Sequence, residues 1–209
     1  MHLIEKLNWR YAVKRMNGIK IPGDQIEQVL EAIRLTASSG GLQPYRIVMI
    51  QNDEVKRKLQ TASRNPQVAE SSHLIVFAAF ESVTQKHIDD YMKLIANVRN
   101  ITLESLADFR KNLLSHFLSL SKEDSFVWAS RQAYIALGTA LIAAADLKID
   151  AAPMEGFNPM QFDEILGLKE KELRSVVILA LGYRDEKKDD LVNAKKVRLP
   201  KEELVSVIA

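Results

Sequence analysis

Gln132-Ala133-Tyr134-Ile135-Ala136-Leu137-Gly138-Thr139-Ala140-Leu141-Ile142-Ala143-Ala144-Ala145-Asp146 is apolar on nearly every face and dense in small residues. A helix of that composition is expected to be buried all round, at the centre of a fold or at a subunit interface. It closes a long segment, Thr84 to Leu147, that has no proline and almost no strand signal. Tyr91, Leu94, Ile95 and Val98, and later Phe126, Ala129, Ala133 and Leu137, recur there at helical spacing.

Strand character lies on both sides of this helical half. Upstream, a helix opens at Asp24, where Glu27 completes a capping-box pattern and Ile26, Val29, Leu30 and Ile33 share one face. Arg46 to Ile50 then reads as a short buried strand, Asn52-Asp53 as the cap of a helix running through Leu59, and His73 to Phe80 as a second apolar strand. Downstream, Ile149 to Ala152 and Ser175 to Leu181 are strands, Lys169 to Glu172 is a solvated helix end, and Asp185 to Asp190 is a charged turn. The last residues, Leu204 to Ala209, form a β-prone apolar tail that its own sheet or a partner's should cover, because a free apolar edge invites aggregation.

The 209 residues suit one domain, 1–209, with 47% apolar and 27% charged residues and a net charge of +2. Interleaved charges leave no basic field for nucleic acid or anionic lipid. The chain has no cysteine, which excludes disulfides and thiolate chemistry and fits a reducing cytoplasm. Its first residues lack a signal-peptide core, and no apolar run is long enough to span a membrane, so a cytoplasmic protein is expected.

Two small-residue loops punctuated by polar groups suggest a flat ligand, because small side chains let the backbone approach a ring edge and hydrogen-bond to it. The first is Ala37-Ser38-Ser39-Gly40-Gly41-Leu42-Gln43-Pro44-Tyr45-Arg46, although its glycines equally fit the stop of the preceding helix. They follow a helix and precede a strand, which excludes the Rossmann and P-loop fingerprints. The second is Ala152-Pro153-Met154-Glu155-Gly156-Phe157, a strand-to-helix turn before a helix capped by Asn158. Such a turn leaves the Glu155 and Gly156 amides free to donate to a ligand.

Arg10 and Lys14 near one end, and Lys196 and Arg198 near the other, are a set that a phosphate would want, although each equally fits an ordinary surface cation. On an extended segment Lys196 and Arg198 would point to the same side. His2, His73, His87 and His116 are scattered; only His87 with Asp90 has a metal-compatible spacing, and without further ligands no site is defined. No Gly-x-Ser-x-Gly elbow is present.

Taken in order over nearly the full chain, these segments resemble the nitroreductase family of FMN-dependent NAD(P)H oxidoreductases. Arg10-Tyr11-Ala12-Val13-Lys14 is similar to the family's basic N-terminal segment, Ala37 to Arg46 to its Pro-Ser-Ser-x-x-x-Gln-Pro-Trp motif, and Asn65-Pro66-Gln67-Val68-Ala69-Glu70 to its ring-touching Asn/Gln segment. Ala152 to Phe157 resembles its Pro-x-Glu-Gly-Phe turn, Leu181-Gly182-Tyr183 its Gly-Tyr strand end, and Lys196-Val197-Arg198 its closing basic pair. Ala12 stands where a serine often binds phosphate, Ala37 replaces a frequent proline, Tyr45 replaces tryptophan, and Gly40-Gly41 should loosen the loop beside the ring.

The resemblance implies an α+β fold, a mixed and mainly antiparallel sheet surrounded by helices, in a homodimer that exchanges C-terminal tails and binds FMN between subunits. Arg10, Tyr11, Ala12, Lys14, Ser38, Ser39, Gly40, Asn65, Gln67, Pro153, Met154, Glu155, Gly156, Lys196 and Arg198 would contact FMN. NADH or NADPH would give a hydride to flavin N5, and a nitroaromatic, quinone or similar acceptor would then take its place. No catalytic side chain is implied, because the flavin carries the chemistry and Lys14 and the Glu155 amide assist. Pteridine or enoate reduction, dehalogenation, or flavin binding without turnover are the alternatives on the same seat.

Overall fold

Four strands form the sheet: β1 (Tyr45–Ile50), β2 (His73–Phe80), β3 (Asp150–Met154) and β4 (Leu173–Gly182), in the order β1-β2-β4-β3. This is the arrangement in a computed structural model, which describes residues 2–208; Met1 and Ala209, the end of the expected tail, lie outside the described residues. Every pairing between the four strands is antiparallel, so no parallel pair makes the sheet mixed among the described residues. β2 is buried along its whole length because helices cover both faces. Ile75 and Phe77 join one core with Val29, Ile33, Ala133 and Ala140, whereas Leu74 and Val76 join the opposite core with Val13, Leu59, Val68 and Phe162. Each large apolar side chain so buried contributes about 1.5–3 kcal/mol relative to exposure. β1 is an edge strand and only partly buried, unlike the expected buried strand.

The helices are α1 (Leu3–Trp9), α2 (Gly23–Arg34), α3 (Asp53–Thr61), α4 (Gln67–Glu70), α5 (Gln85–Arg99), α6 (Ala107–Phe117), α7 (Lys122–Asp146), α8 (Pro159–Leu166) and α9 (Lys201–Leu204). Asn52 caps α3 by accepting from the Glu54 and Val55 amides, and Asn158 caps α8, with Pro159 in its first turn. The capping box at Asp24 does not form: α2 starts after Pro22, whose fixed φ suits entry to a helix, and Asp24 lies inside the first turn.

α7 turns Ala129, Ala133, Ala136, Ala140 and Ala144 inward, each fully buried, and small side chains bring the helix close to the sheet. In the single chain Val127, Tyr134, Ile135 and Ile142 are exposed along its other side, so its own chain does not bury it all round. The tail is not covered by the chain's own sheet. Leu204 ends the short α9, which follows Pro200 and carries Glu202 and Glu203 in its first turn, a favourable charge at a helix N-terminus. Val205 to Ile208 follow without regular structure, and Val207 and Ile208 are almost fully exposed.

Candidate flavin-phosphate cleft

The N-terminal segment is held by a carboxylate that the sequence hid. Asp189, 2% exposed, accepts from the Lys14 amide at 2.7 Å, the Tyr11 hydroxyl at 3.0 Å and the Leu191 amide at 2.9 Å. Burial alone would raise its pKa, but these donors, first the Lys14 and Leu191 amides and then Tyr11, outweigh burial and hold it below the ordinary value. Tyr11 is pushed up by burial and by its bond to Asp189, so it stays a neutral donor. Arg184 lies 4.7 Å from the centroids of both Trp9 and Tyr11 and makes a two-pronged pair with the buried Asp150. Residues 9–14 are thereby fixed against the 184–191 loop.

This clamp places the predicted cations together. Arg10, Tyr11, Ala12, Lys14, Pro153, Lys196 and Arg198 share a cleft of about 650 Å3. Lys196 donates to the Leu7 and Arg10 carbonyls, which brings it beside Arg10. Arg10 Nε is buried with no partner among the described residues. Its pKa is lowered by burial and then by the charge of Arg198, and that of Lys196 by burial and then by Arg10 and Arg198. Like charges held together, with one buried donor orphaned, call for an anion between them. A phosphate monoester fits that donor set.

A second group of predicted residues frames one turn. Gly156 O accepts from Ser63 Oγ at 3.1 Å and Asn65 Nδ2 at 2.9 Å, and Ser63 and Phe157 form an isolated bridge. Tyr134 on α7 donates to the Glu155 carboxylate; burial, then that carboxylate, push its pKa up to about 12. With its acceptors tied from two sides, the turn leaves the Glu155 and Gly156 N–H groups without a partner among the described residues. Gln67 gives its Nε2 to Val13 O at 2.8 Å and leaves its buried Oε1 unpaired. Buried Lys56 fixes the end of α4 through Ser71 O and pairs with Asp53 at 3.0 Å. Pro153, at the end of β3, joins this turn to the cationic cleft, while Met154 packs against the core beneath.

Of the other predicted contacts, Asn65 and Gly156 line a separate pocket, Gln67, Met154 and Glu155 line neither, and Ser38, Ser39 and Gly40 do not line that cleft within the chain. α2 ends at Arg34, so the glycines are not its stop but part of a separate 3-10 turn, Ser39–Gly41. Ser39 N donates to Gln132 of α7 at 2.9 Å, and Ser38 Oγ accepts from Gln43 N at 3.0 Å. Gly41 has φ +71°, and a Cβ there would sit 2.1 Å from the Tyr91 hydroxyl. The loop is therefore anchored rather than loosened by its glycines, since glycine takes that backbone without strain and leaves room for Tyr91. His87, the other half of the metal-compatible pair, accepts from the Thr84 amide through Nδ1 and belongs to the cap of α5.

The antiparallel sheet, its helices and the cationic cleft define an α+β protein with a cleft suited to an anion. The nitroreductase family profile matches residues 7–183, and the chain belongs to that family. A Staphylococcus haemolyticus protein provisionally named NAD(P)H nitroreductase is 32% identical over 216 residues, covering 99% of this chain and 97% of its own length. The major NAD(P)H-flavin oxidoreductase of Aliivibrio fischeri is 30% identical over 220 residues, covering 99% and 98%. Among solved structures, a protein from Exiguobacterium sibiricum, provisionally named nitroreductase and determined in complex with FMN, superposes with a TM-score of 0.82 at 19% identity, covering 100% of this chain and 98% of that one.

Proposed function

We propose that this chain is an FMN-dependent NAD(P)H oxidoreductase that acts on nitroaromatics, quinones or similar acceptors as a cytoplasmic homodimer. The observation that carries the reading is the cluster of Arg10, Lys196 and Arg198 around an orphaned, buried guanidinium N–H, a phosphate seat at the end of β3. Bound FMN would supply two-electron chemistry, taking a hydride from NAD(P)H and returning electrons to an acceptor in a ping-pong cycle.

The residues' own work is binding and charge placement. Arg10, Lys196 and Arg198 would hold the phosphate, and the free N–H groups of Glu155 and Gly156 would donate to the polar edge of the ring system. Lys14, whose backbone Asp189 fixes, would set a cation near negative charge developing on the pyrimidine side. Asn65 holds the turn through Gly156 O, and the unpaired Gln67 Oε1 is an acceptor for a ring N–H. Because Ser38, Ser39 and Gly40 do not line this cleft, their contact with flavin would be made across a dimer, to the seat in the partner. The exposed apolar side of α7 and the apolar tail support such a dimer, with the tail pairing on the partner.

Steady-state kinetics test the reading. With FMN-loaded protein, a nitroaromatic or quinone varied against NADH and NADPH should give parallel double-reciprocal lines. No turnover with any acceptor, or intersecting lines, would overturn it.

A further inference from the structure

Apart from the cationic cleft, Arg46 on β1, Phe80 at the end of β2, and His87 and Tyr91 on α5 surround a pocket of about 340 Å3 whose wall includes Leu42 and Leu94. The Arg46 guanidinium stacks 4.6 Å from the Phe80 centroid, and Phe80 in turn lies 4.3 Å from the His87 ring. Arg46 Nη1 donates to the Tyr45 carbonyl at 2.8 Å and more weakly to the Gln43 carbonyl at 3.4 Å, while Nε and Nη2 have no partner among the described residues. Burial alone lowers its pKa, with no carboxylate contributing. Arg46 is thus an exposed cation at the mouth of β1 whose remaining donors face the pocket side or solvent.

Two neutral donors adjoin it. His87 Nδ1 accepts from the Thr84 amide, which places the imidazole proton on Nε2, and burial and then the charge of Arg46 keep the ring neutral. The Tyr91 hydroxyl, closed in by Gly41, makes no hydrogen bond among the described residues. Asp90 also lines the pocket, and Lys86 at 2.6 Å and Lys93 at 3.6 Å compensate its charge.

We infer that this pocket is a second small-molecule site that takes an amphipathic monocarboxylate. The carboxylate would meet the planar fork of Arg46, with Tyr91 and His87 as further donors, and its apolar body would lie against Leu42, Leu94 and Phe80. A planar, two-oxygen head suits the arginine fork, and the apolar wall favours an organic acid over a free phosphate. None of its residues lies in the cationic cleft.

Calorimetric titration of the FMN-loaded, full-length protein with benzoate tests it, with benzamide and inorganic phosphate as comparisons. Benzoate should bind without shifting the visible flavin spectrum, and Arg46→Gln should weaken it about tenfold or more while Tyr91→Phe weakens it about threefold. Arg46→Lys, which keeps the charge and loses the fork, should fall between wild type and Arg46→Gln. The inference fails if benzoate does not bind, if benzamide or phosphate binds as well as benzoate, if the spectrum shifts as it would for a ligand over the ring, or if Arg46→Gln binds benzoate unchanged with an unaltered melting temperature.

Discussion

Asp189→Asn should selectively weaken flavin mononucleotide binding. The carboxylate presents Oδ2 to the Lys14 amide and the Tyr11 hydroxyl and Oδ1 to the Leu191 amide. Asparagine has one oxygen, so its NH2 must face at least one of these donors. A hydrogen bond to a charged group contributes about 1.5–3 kcal/mol, and an unsatisfied buried donor costs about 1–3 kcal/mol. If about 1.5–3 kcal/mol of that loss reaches the segment carrying Arg10 and Lys14, FMN should bind roughly tenfold to a hundredfold more weakly. Fluorescence titration of the flavin-free protein with FMN and with riboflavin measures this. Riboflavin keeps the ring that Lys14 would face but lacks the phosphate, so it should weaken less than FMN and the FMN-to-riboflavin preference should fall. Unchanged FMN affinity, or an equal loss for both flavins, would refute the argument that Asp189 acts through the phosphate seat. The same residue predicts acid sensitivity. Folding lowers its pKa, so its contribution is full above the unfolded carboxylate value of about 4 and is lost as pH falls through the lower folded value. Denaturant melts from pH 5 downward should steepen in wild type and flatten in the variant, within roughly that range.

Gly41→Ala should cost about 1–3 kcal/mol, because φ is +71° and the new Cβ would meet the Tyr91 hydroxyl at 2.1 Å. Gly23→Ala, with open space around its Cβ, is the control whose melting temperature should hold. Tyr134 should ionise near pH 12, above an ordinary tyrosine at about 10. The stability it contributes is therefore full below about pH 10 and lost as pH rises through about 12, and ultraviolet titration of Tyr134→Phe should lack one late-ionising phenol. Ile142→Glu places a charge on the exposed apolar side of α7, and light scattering should show a dimer-to-monomer shift; an unchanged dimer would remove α7 from the interface.

The parts of this fold legible in the sequence were those whose physics is local. His73 to Phe80 was readable with its boundaries because a strand covered on both faces is continuously apolar. Asn52 and Asn158-Pro159 announced helix starts because capping needs only neighbouring atoms. The Arg10, Lys14, Lys196 and Arg198 set could be named from its resemblance, since its members are cations at chain positions that a family motif specifies. Asp189 could not be singled out. It sits in Asp185 to Asp190, where every residue is charged, and only tertiary contacts with Tyr11 and Lys14 separate the buried acid from its solvated neighbours. The Gly41–Tyr91 contact joins residues fifty apart and left no local trace beyond the glycine itself. For α7 the sequence left a central helix and an interface helix undistinguished, since uniform apolar composition looks the same whether a face meets its own core or lies exposed on the single chain.

The most direct measurement is anaerobic reduction of the FMN-loaded protein, followed by its visible absorbance. On the present account the flavin band bleaches on addition of NADH or NADPH before any acceptor is present, and returns when a quinone or nitroaromatic is added. A protein that takes up no FMN, or one whose bound flavin neither nicotinamide bleaches, would contradict it.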